Sequence, residues 1–172
     1  MQGLNREGEQ ANNSVSLLIS MLVRYPELAT INFDPRRQSL KFTFLLTRVL
    51  SEEEFGAFRA RLLDSLSAYA WLEGLDVSTT EVGLTKYGDV SVVEVVRDVR
   101  SLSQGEVSLT IDLIRGLFAS TLVVDRGESV QEDELAAQEE LIEQMLEDLR
   151  ESRSDKNLIA FREEGRVLVF NK

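Results

Sequence analysis

The stretch LATINFDPRRQSLKFTFLL, residues 28–46, has the pattern of a β-hairpin and decides the predicted fold class. Its second half, Ser39 to Leu46, alternates apolar side chains with others, as an antiparallel strand with one buried face does. The preceding segment, Leu28 to Phe33, is the expected partner strand. Between them Asp34 and Pro35 begin a turn, because Asp is favoured at the first turn position and Pro at the second. The pattern predicts a sheet of antiparallel hairpins.

Two later parts of the chain predict further hairpins. Val77 to Thr85 and Val90 to Asp98 flank a Tyr-Gly-Asp turn, and the second of these strands is dense in β-branched residues. Leu158 to Phe161 and Val167 to Phe170 flank a third turn, which contains a glycine. The last strand, with the sequence VLVF, is apolar on both faces. We therefore expect it to lie in the centre of the sheet or in a subunit interface.

Helices are predicted between the hairpins, and three of them begin at an S-x-x-E capping box. In this motif the Ser and Glu side chains each satisfy a backbone N–H of the first helical turn. The three pairs are Ser51 with Glu54, Ser103 with Glu106, and Ser129 with Glu132. The helix after Ser51 is expected to run to about Leu72 and to stop at Gly74. We interpret Trp71, near its end, as a core or rim packing residue rather than a ligand platform.

The other helix boundaries rest on weaker signals. A helix near the N-terminus is expected to be capped by Asn13 or Ser14 and to run to about Arg24. The helix after Ser103 either continues through Leu122 or stops near residue 119. Residues 120–124 are accordingly a helix or a strand, and we favour the stop near residue 119.

Together these elements predict an α+β fold, with an antiparallel sheet built from three β-hairpins and helices packed mainly on one face. Residues 1–12 are mostly polar, include two glycines and are expected to form a flexible N-terminal tail. Residues 13–172 are expected to form a single domain. A possible subdivision separates a core, 13–124, from the acidic helix and the last hairpin, 128–172.

The composition restricts the chemistry that the chain can perform. It contains no cysteine and no histidine, which excludes disulfides, thiolate chemistry, the Ser-His-Asp triad and the usual zinc ligands. We also find no nucleotide-binding motif and no nucleophile motif. We therefore assign no catalytic residue and no cofactor, and we favour a protein that is not an enzyme.

The net charge of −11 is concentrated in one segment of the chain. Residues 128–151 contain ten acidic residues and one basic residue, so they carry −9 and the rest of the chain carries −2. A nucleic-acid partner is not expected, because its phosphates would be repelled. The chain has no apolar span of membrane length and its N-terminus lacks the apolar run of a secretory signal. We expect no membrane association and a cytoplasmic location.

The acidic segment is predicted to be a helix over Ser129–Arg153. Its apolar stripe is expected to face the sheet, and its acids are expected to be a solvated outer face. The stripe consists of Leu135, Ile142, Met145, Leu146 and Leu149. A coiled coil is a second interpretation, although Gln138 and Ser152 interrupt its complementary seam. A weak cation site is a third, because Glu139, Glu143 and Glu147 follow one another at four-residue intervals along one helix face. Carboxylates alone suit Mg²⁺ or Ca²⁺.

Two arginine pairs are candidate contacts for a protein partner or an anion. Arg36 and Arg37 occupy the turn of the first hairpin, while Arg97 and Arg100 lie around the end of the fourth predicted strand. Guanidinium groups bind carboxylates and phosphates through paired hydrogen bonds. One hypothesis is that the arginine turn of one subunit contacts the acidic helix of another.

Three functional hypotheses follow. The first is a small acidic, non-catalytic protein that binds other proteins, in a chaperone-like or regulatory role, as a homodimer. The order helix, hairpin, helix, hairpin, helix over residues 14–120 resembles the type III secretion chaperone-like architecture, which has an additional strand. The second is a ferredoxin-like domain that senses a small molecule, and it requires a strand at residues 120–124. The third is a carboxylate-dependent Mg²⁺ or Ca²⁺ enzyme.

Overall fold

The computed structural model describes residues 2–77, 79–125, 131–151 and 156–171. Within these ranges the chain forms four helices and six strands. The helices are α1 (Gln2–Arg24), α2 (Glu52–Glu73), α3 (Gln104–Leu117) and α4 (Glu132–Glu151). The strands are β1 (Thr30–Asp34), β2 (Ser39–Leu46), β3 (Thr80–Tyr87), β4 (Val90–Asp98), β5 (Leu158–Glu163) and β6 (Arg166–Asn171). The predicted α+β class is confirmed.

The six strands form one antiparallel sheet in the order β3-β4-β2-β1-β5-β6. All three predicted hairpins are present, and the first of them, β1–β2, lies at the centre. The hairpin β3–β4 joins it along β2, and the hairpin β5–β6 joins it along β1. The strand with the sequence VLVF is β6, at the edge of the sheet. Of its two predicted positions, the centre of the sheet is therefore wrong, and a subunit interface stays a prediction.

One face of the sheet carries the hydrophobic core. On this face β2 places its fully buried residues, which are Leu40, Phe42, Phe44 and Leu46. Their partners in the neighbouring strands are buried as well, among them Ile31, Phe33, Val93 and Val95. The stripes of the helices join the same cluster. Each fully buried side chain of this size contributes about 1.5–3 kcal/mol to folding, so this face is a large source of stability.

The helical layer is held by packing between helices and by one partly buried arginine. The nearest neighbours of α4 are helices α1 and α3, so its apolar stripe packs against these helices. The predicted direct contact of the stripe with the sheet is wrong. Arg162 of β5 lies beneath the C-terminal end of α1 and donates hydrogen bonds to the carbonyls of Leu22, Tyr25 and Leu28. A cation is favourable at this helix end. Burial lowers the pKa of Arg162.

The starts of the helices follow the sequence signals unevenly. Helix α1 begins at Gln2, so the predicted start at Asn13 or Ser14 is wrong and the helix includes most of the segment expected to be a flexible tail. Helix α2 has the complete capping box of Ser51 and ends at Gly74, which has the left-handed φ of 65°. The predicted cap Ser129 and the predicted end Arg153 of the acidic helix lie outside the described residues.

Helix α3 ends at Leu117, close to the predicted stop. Residues 120–124 then form neither a helix nor a full strand. A single antiparallel bridge joins Leu122 to Leu46 at the end of β2. Two backbone hydrogen bonds support it, from Thr47 N to Thr121 O at 2.8 Å and from Val123 N to Leu45 O at 2.9 Å. The segment falls short of the strand that the ferredoxin-like hypothesis requires. None of the described helices has an apolar run long enough to cross a membrane.

Candidate interaction surface

The face of the sheet opposite the core is left open by the described helices. In β2, the alternate residues Lys41, Thr43 and Leu45 point to this side and remain half-exposed. Several large apolar side chains share the same face through the strand register. They are Leu45, Val90, Val92, Val96, Ile159, Phe161, Leu168 and Phe170. We call this surface the open face.

The open face is richest in aromatic surface at its β6 edge. Phe161 and Phe170 stack with their ring centroids 5.6 Å apart and an interplanar angle of 10°. Phe170 keeps 53% of its surface exposed although it belongs to a regular strand. Leu168 of the same strand shares the open face, whereas Val167 and Val169 face the core side and pack against it. An edge strand that is apolar on both faces leaves one of them without cover.

Charges on the open face are of both signs. Glu81 belongs to it as the partner of Val96, and it is paired with Arg37 of the hairpin turn. Glu163 and Arg166 are direct partners in the β5–β6 register. Lys41 lies diagonally from Glu94, since its own partner in β4 is Val96. Opposite charges at such positions attract one another weakly. The strong acidity of the chain is therefore located on other surfaces, above all on α4.

Of the four arginines predicted to contact a partner or an anion, three are exposed and one is buried. Arg37 and Arg100 line a surface cleft of about 320 Å³ together with Arg150 of α4. Arg37 is paired with Glu81 at 2.6 Å, and this hydrogen bond raises the pKa of Arg37. Arg36 is exposed on the hairpin turn. The first arginine pair and Arg100 thus stay on the surface, where a role in contacts remains a prediction.

Arg97 is not a surface cation, because it is only 1% exposed. Its Nε and Nη2 donate to the two carboxylate oxygens of Glu106 at 2.6 and 2.7 Å. Its Nη1 donates to Asp98 Oδ1 at 2.5 Å and to Thr79 O at 2.8 Å. Its Nη2 also donates to Ser101 Oγ at 3.1 Å. All donors of this guanidinium are used inside the chain, so it cannot serve a partner.

The buried cluster around Arg97 is held in its charged form. Burial disfavours the charge of Arg97, but the hydrogen bonds and attraction of Glu106 and Asp98 outweigh it and raise the pKa of Arg97. Burial likewise opposes the charge of Asp98. Hydrogen bonds from Ser101 and Thr79 and the attraction of Arg97 prevail, and they lower the pKa of Asp98 to about 2. A cluster so fully paired has no group free to exchange protons with a substrate, and its role is structural.

The predicted cation row on α4 is drawn into contacts with other helices. Glu139 Oε1 accepts a hydrogen bond from Arg24 Nη2 at 2.5 Å. Glu143 Oε2 accepts one from the backbone N–H of Gln104, at the first turn of α3, at 2.7 Å. Glu147 remains exposed. Among the described residues no group of three or more acidic side chains is placed to hold a metal ion.

Trp71 lies outside the core. It is 82% exposed, so of its two predicted packing positions, core and rim, the core position is wrong. The periodicity of α2 contained the signal. The buried positions of this helix are Phe58, Leu62, Leu66 and Ala70, and Trp71 follows directly after the last of them. A residue one position off a helical stripe points away from it by roughly 100°.

Comparison with family models, with curated proteins and with solved structures found no match for this chain.

Proposed function

We propose that this is a non-catalytic protein that binds other proteins, in a chaperone-like or regulatory role, and that it acts as a homodimer joined through the open face. The observation that carries the proposal is the uncovered apolar face, with Phe161 and Phe170 stacked at the edge of the sheet. Apolar surface of this extent in a soluble protein is typical of an interaction site.

The size of the open face suits a dimer. Six strands spaced by about 4.8 Å span roughly 29 Å, and strands of about six residues are roughly 20 Å long. The face therefore offers on the order of 600 Å² per chain. Two such faces bury on the order of 1,200 Å² in total, at the lower end of the range for specific interfaces.

The charges of the chain favour a second copy as the partner on this face. Two chains of net charge −11 repel one another. They approach at least cost through surfaces where the charge is balanced, and the open face is one. A two-fold axis brings identical patches together. Under such an axis the mixed charges, such as Glu163 and Arg166, can pair between copies.

Support for a non-catalytic role comes from the chemistry of the side chains. The chain contains neither histidine nor cysteine. Its most deeply buried charged cluster, around Arg97, uses its hydrogen-bonding capacity internally. Apolar surface rather than reactive groups dominates the open face.

Sedimentation equilibrium of the purified chain and of two matched variants tests the dimer. Phe170→Lys places a charge on the open face, whereas Leu141→Lys places one on α4, where the parent side chain is 51% exposed against 53% for Phe170. We expect the wild type and Leu141→Lys to have the mass of two chains and Phe170→Lys that of one, with unchanged circular dichroism. A wild type that is monomeric at tens of micromolar contradicts the dimer, as does a Phe170→Lys variant that stays dimeric.

A further inference from the structure

A second surface, at the opposite edge of the sheet, is a groove between α2 and the start of β3. Its volume is about 340 Å³. The apolar walls are formed by Leu63, Leu66, Ala70 and Trp71 on α2 and by Leu75 and Val77 in the following loop. The buried Arg97–Glu106 pair forms part of its floor. We call this feature the Trp71 groove.

The exposure of Trp71 marks the groove as incomplete without a partner. A tryptophan that is 82% exposed leaves most of a large apolar ring in water. Such rings are enriched among the residues that contribute most to binding at protein interfaces. Its neighbour Leu72 is 73% exposed but does not line the groove. Trp71 and Leu72 are thus both exposed, but only Trp71 lines the groove, so substitutions at the two positions distinguish the effect of exposure from that of the groove.

The surroundings of the groove are negative from several sources. Glu73 and Asp76 are exposed on either side of the groove residue Leu75 in the chain. The last turn of α2 contains no basic residue, so the negative end of its helix dipole is not compensated. At the floor, the single guanidinium of Arg97 faces two carboxylates, those of Glu106 and of Asp98. A cationic side chain is the complementary group, and an exposed indole ring attracts the same group through its face.

The edge strand β3 lies beside the groove and has backbone groups that an extended chain can pair with. Thr80, the first residue of β3, lines the groove. From there β3 runs along the outside of the sheet, and its outer edge has no strand partner among the described residues. An exposed edge of this kind accepts an added strand through main-chain hydrogen bonds, while adjacent pockets select the side chains.

We infer that the Trp71 groove binds an extended segment of a partner protein in which a lysine or arginine alternates with apolar residues. The segment adds to the edge of β3 and places its cation over Trp71, near Glu73 and Asp76. The inference rests on the proposed protein-binding function and names the class of partner. It uses a different surface from the open face, so a dimer can bind two such segments.

The binding test uses a short synthetic peptide of alternating valine and arginine that carries a fluorescent label. Trp71 is the only tryptophan of the chain, so its emission reports on this groove directly. We expect saturable binding by anisotropy and a blue shift of the tryptophan emission. A peptide of alternating valine and glutamate is expected not to bind. Absence of binding by the arginine peptide, or equal binding of both peptides, overturns the inference.

Two adjacent substitutions locate the binding. Trp71→Ala is expected to weaken the arginine peptide by about tenfold or more, as removal of a central aromatic contact does. Leu72→Ala is expected to change the dissociation constant by less than about twofold, because Leu72 does not line the groove. Both side chains are mostly exposed, so neither substitution threatens the fold. Equal effects of the two substitutions contradict binding in the groove.

A charge-matched pair of double variants separates local recognition from general attraction to an acidic protein. Glu73→Gln with Asp76→Asn removes two charges beside the groove, and Glu140→Gln with Glu147→Gln removes two exposed charges on α4. At about 0.15 M salt distant charges are screened. We expect the first variant to weaken binding by about fivefold or more and the second to leave it unchanged. Equal weakening overturns the inference.

The mass of each variant distinguishes this inference from the proposed dimer. A dimeric wild type that fails to bind the arginine peptide contradicts the groove alone. A monomeric wild type that binds it contradicts the dimer alone. If Trp71→Ala converts a dimer into a monomer, the occupant of the groove is a second copy of the chain, and the assignment to a partner segment is wrong.

Discussion

Helices α2 and α3 begin with the same S-x-x-E pattern, and in both the glutamate is bound by an arginine through two hydrogen bonds. At α2, Arg48 donates to Glu54 at 3.0 and 2.5 Å, and both side chains are more than 40% exposed. At α3, Arg97 donates to Glu106 at 2.6 and 2.7 Å, and both side chains are 1% exposed. Similar contacts thus lie in water at one helix and in the core at the other.

The difference in environment decides what the glutamate does. Glu54 also accepts from the backbone N–H of Ser51 at 3.3 Å, so the capping box of α2 is complete. At α3 only the serine half is present, with Glu106 N donating to Ser103 Oγ at 3.3 Å. A lost cap bond costs about 1 kcal/mol, whereas a buried guanidinium without a partner costs several. Glu106 therefore turns inward, and Glu143 of α4 supplies the carboxylate at the start of α3.

The largest expected effect comes from removing the arginine of each pair. Arg97→Ala leaves two buried carboxylates without their cation and is expected to lower the free energy of unfolding by about 3–5 kcal/mol. Arg48→Ala removes only an exposed partner, and we expect a loss below about 1 kcal/mol. Urea denaturation at pH 7 measures both. Comparable losses at the two positions contradict the assigned difference in burial.

The same substitution in the two glutamates sharpens the comparison. Glu106→Gln turns an amide donor toward the donors of Arg97 and is expected to cost about 2–3 kcal/mol. Glu54→Gln leaves a residue that can still complete a capping box, so its urea midpoint is expected to stay at the wild-type value. A larger shift in Glu54→Gln than in Glu106→Gln shows that the capping role outweighs the buried pair.

The parts of the fold that local patterns govern could be predicted from the sequence. The alternation of Ser39–Leu46 and the turn at Asp34 and Pro35 predicted the central hairpin, because the period of a strand and the preferences of a turn depend on neighbouring residues. The box of Ser51 and the stop at Gly74 depend on the same short range. The core stripe of α4 is likewise a local pattern.

The features that depend on distant residues could not be predicted. The order of the strands, with β5 joined to β1, is set by packing across more than a hundred residues. In the sequence Arg97 is indistinguishable from a surface arginine, because its burial depends on the carboxylates of Glu106 and Asp98 that surround it in the fold. Its burial follows from where α3 crosses the sheet, which the local pattern does not encode. The candidate surfaces depend on the same tertiary information, because Phe170 is exposed where β6 forms the edge of the open face.

The exposed pair at the start of α2 and the buried cluster at the start of α3 also differ in their response to acid. The pKa of Asp98 in the buried cluster is lowered to about 2, against an ordinary value of 3.8. Between about pH 4 and pH 2 the unfolded chain binds a proton there and the folded chain does not. The contribution of Asp98 to the free energy of unfolding is therefore fully present above about pH 4. It decreases by about 2 kcal/mol as the pH drops through this window.

Salt separates the contribution of Asp98 from that of Glu54. Hydrogen bonding to Arg48 lowers the pKa of Glu54 to about 2 as well, but this pair is exposed. At about 1 M salt the exposed contribution is screened and the buried one is retained. Acid titration of stability at low and high salt, with Asp98→Asn as the comparison, measures the two. A wild-type slope that equals that of Asp98→Asn rules out the buried contribution.

The smallest expected effects come from the serines of the two boxes. Ser51→Ala removes one cap bond, to Glu54 N at 3.1 Å, and is expected to cost about 1 kcal/mol. Ser103→Ala is expected to cost somewhat more, because Ser103 Oγ also bonds the half-buried hydroxyl of Tyr69 at 3.0 Å. In a Tyr69→Phe background this extra loss disappears, and the serine of α3 then costs the same as the serine of α2. Thermal or urea unfolding of the four variants provides the double-mutant cycle. If the extra loss persists without the hydroxyl, Ser103 stabilises α3 through contacts other than the cap and Tyr69.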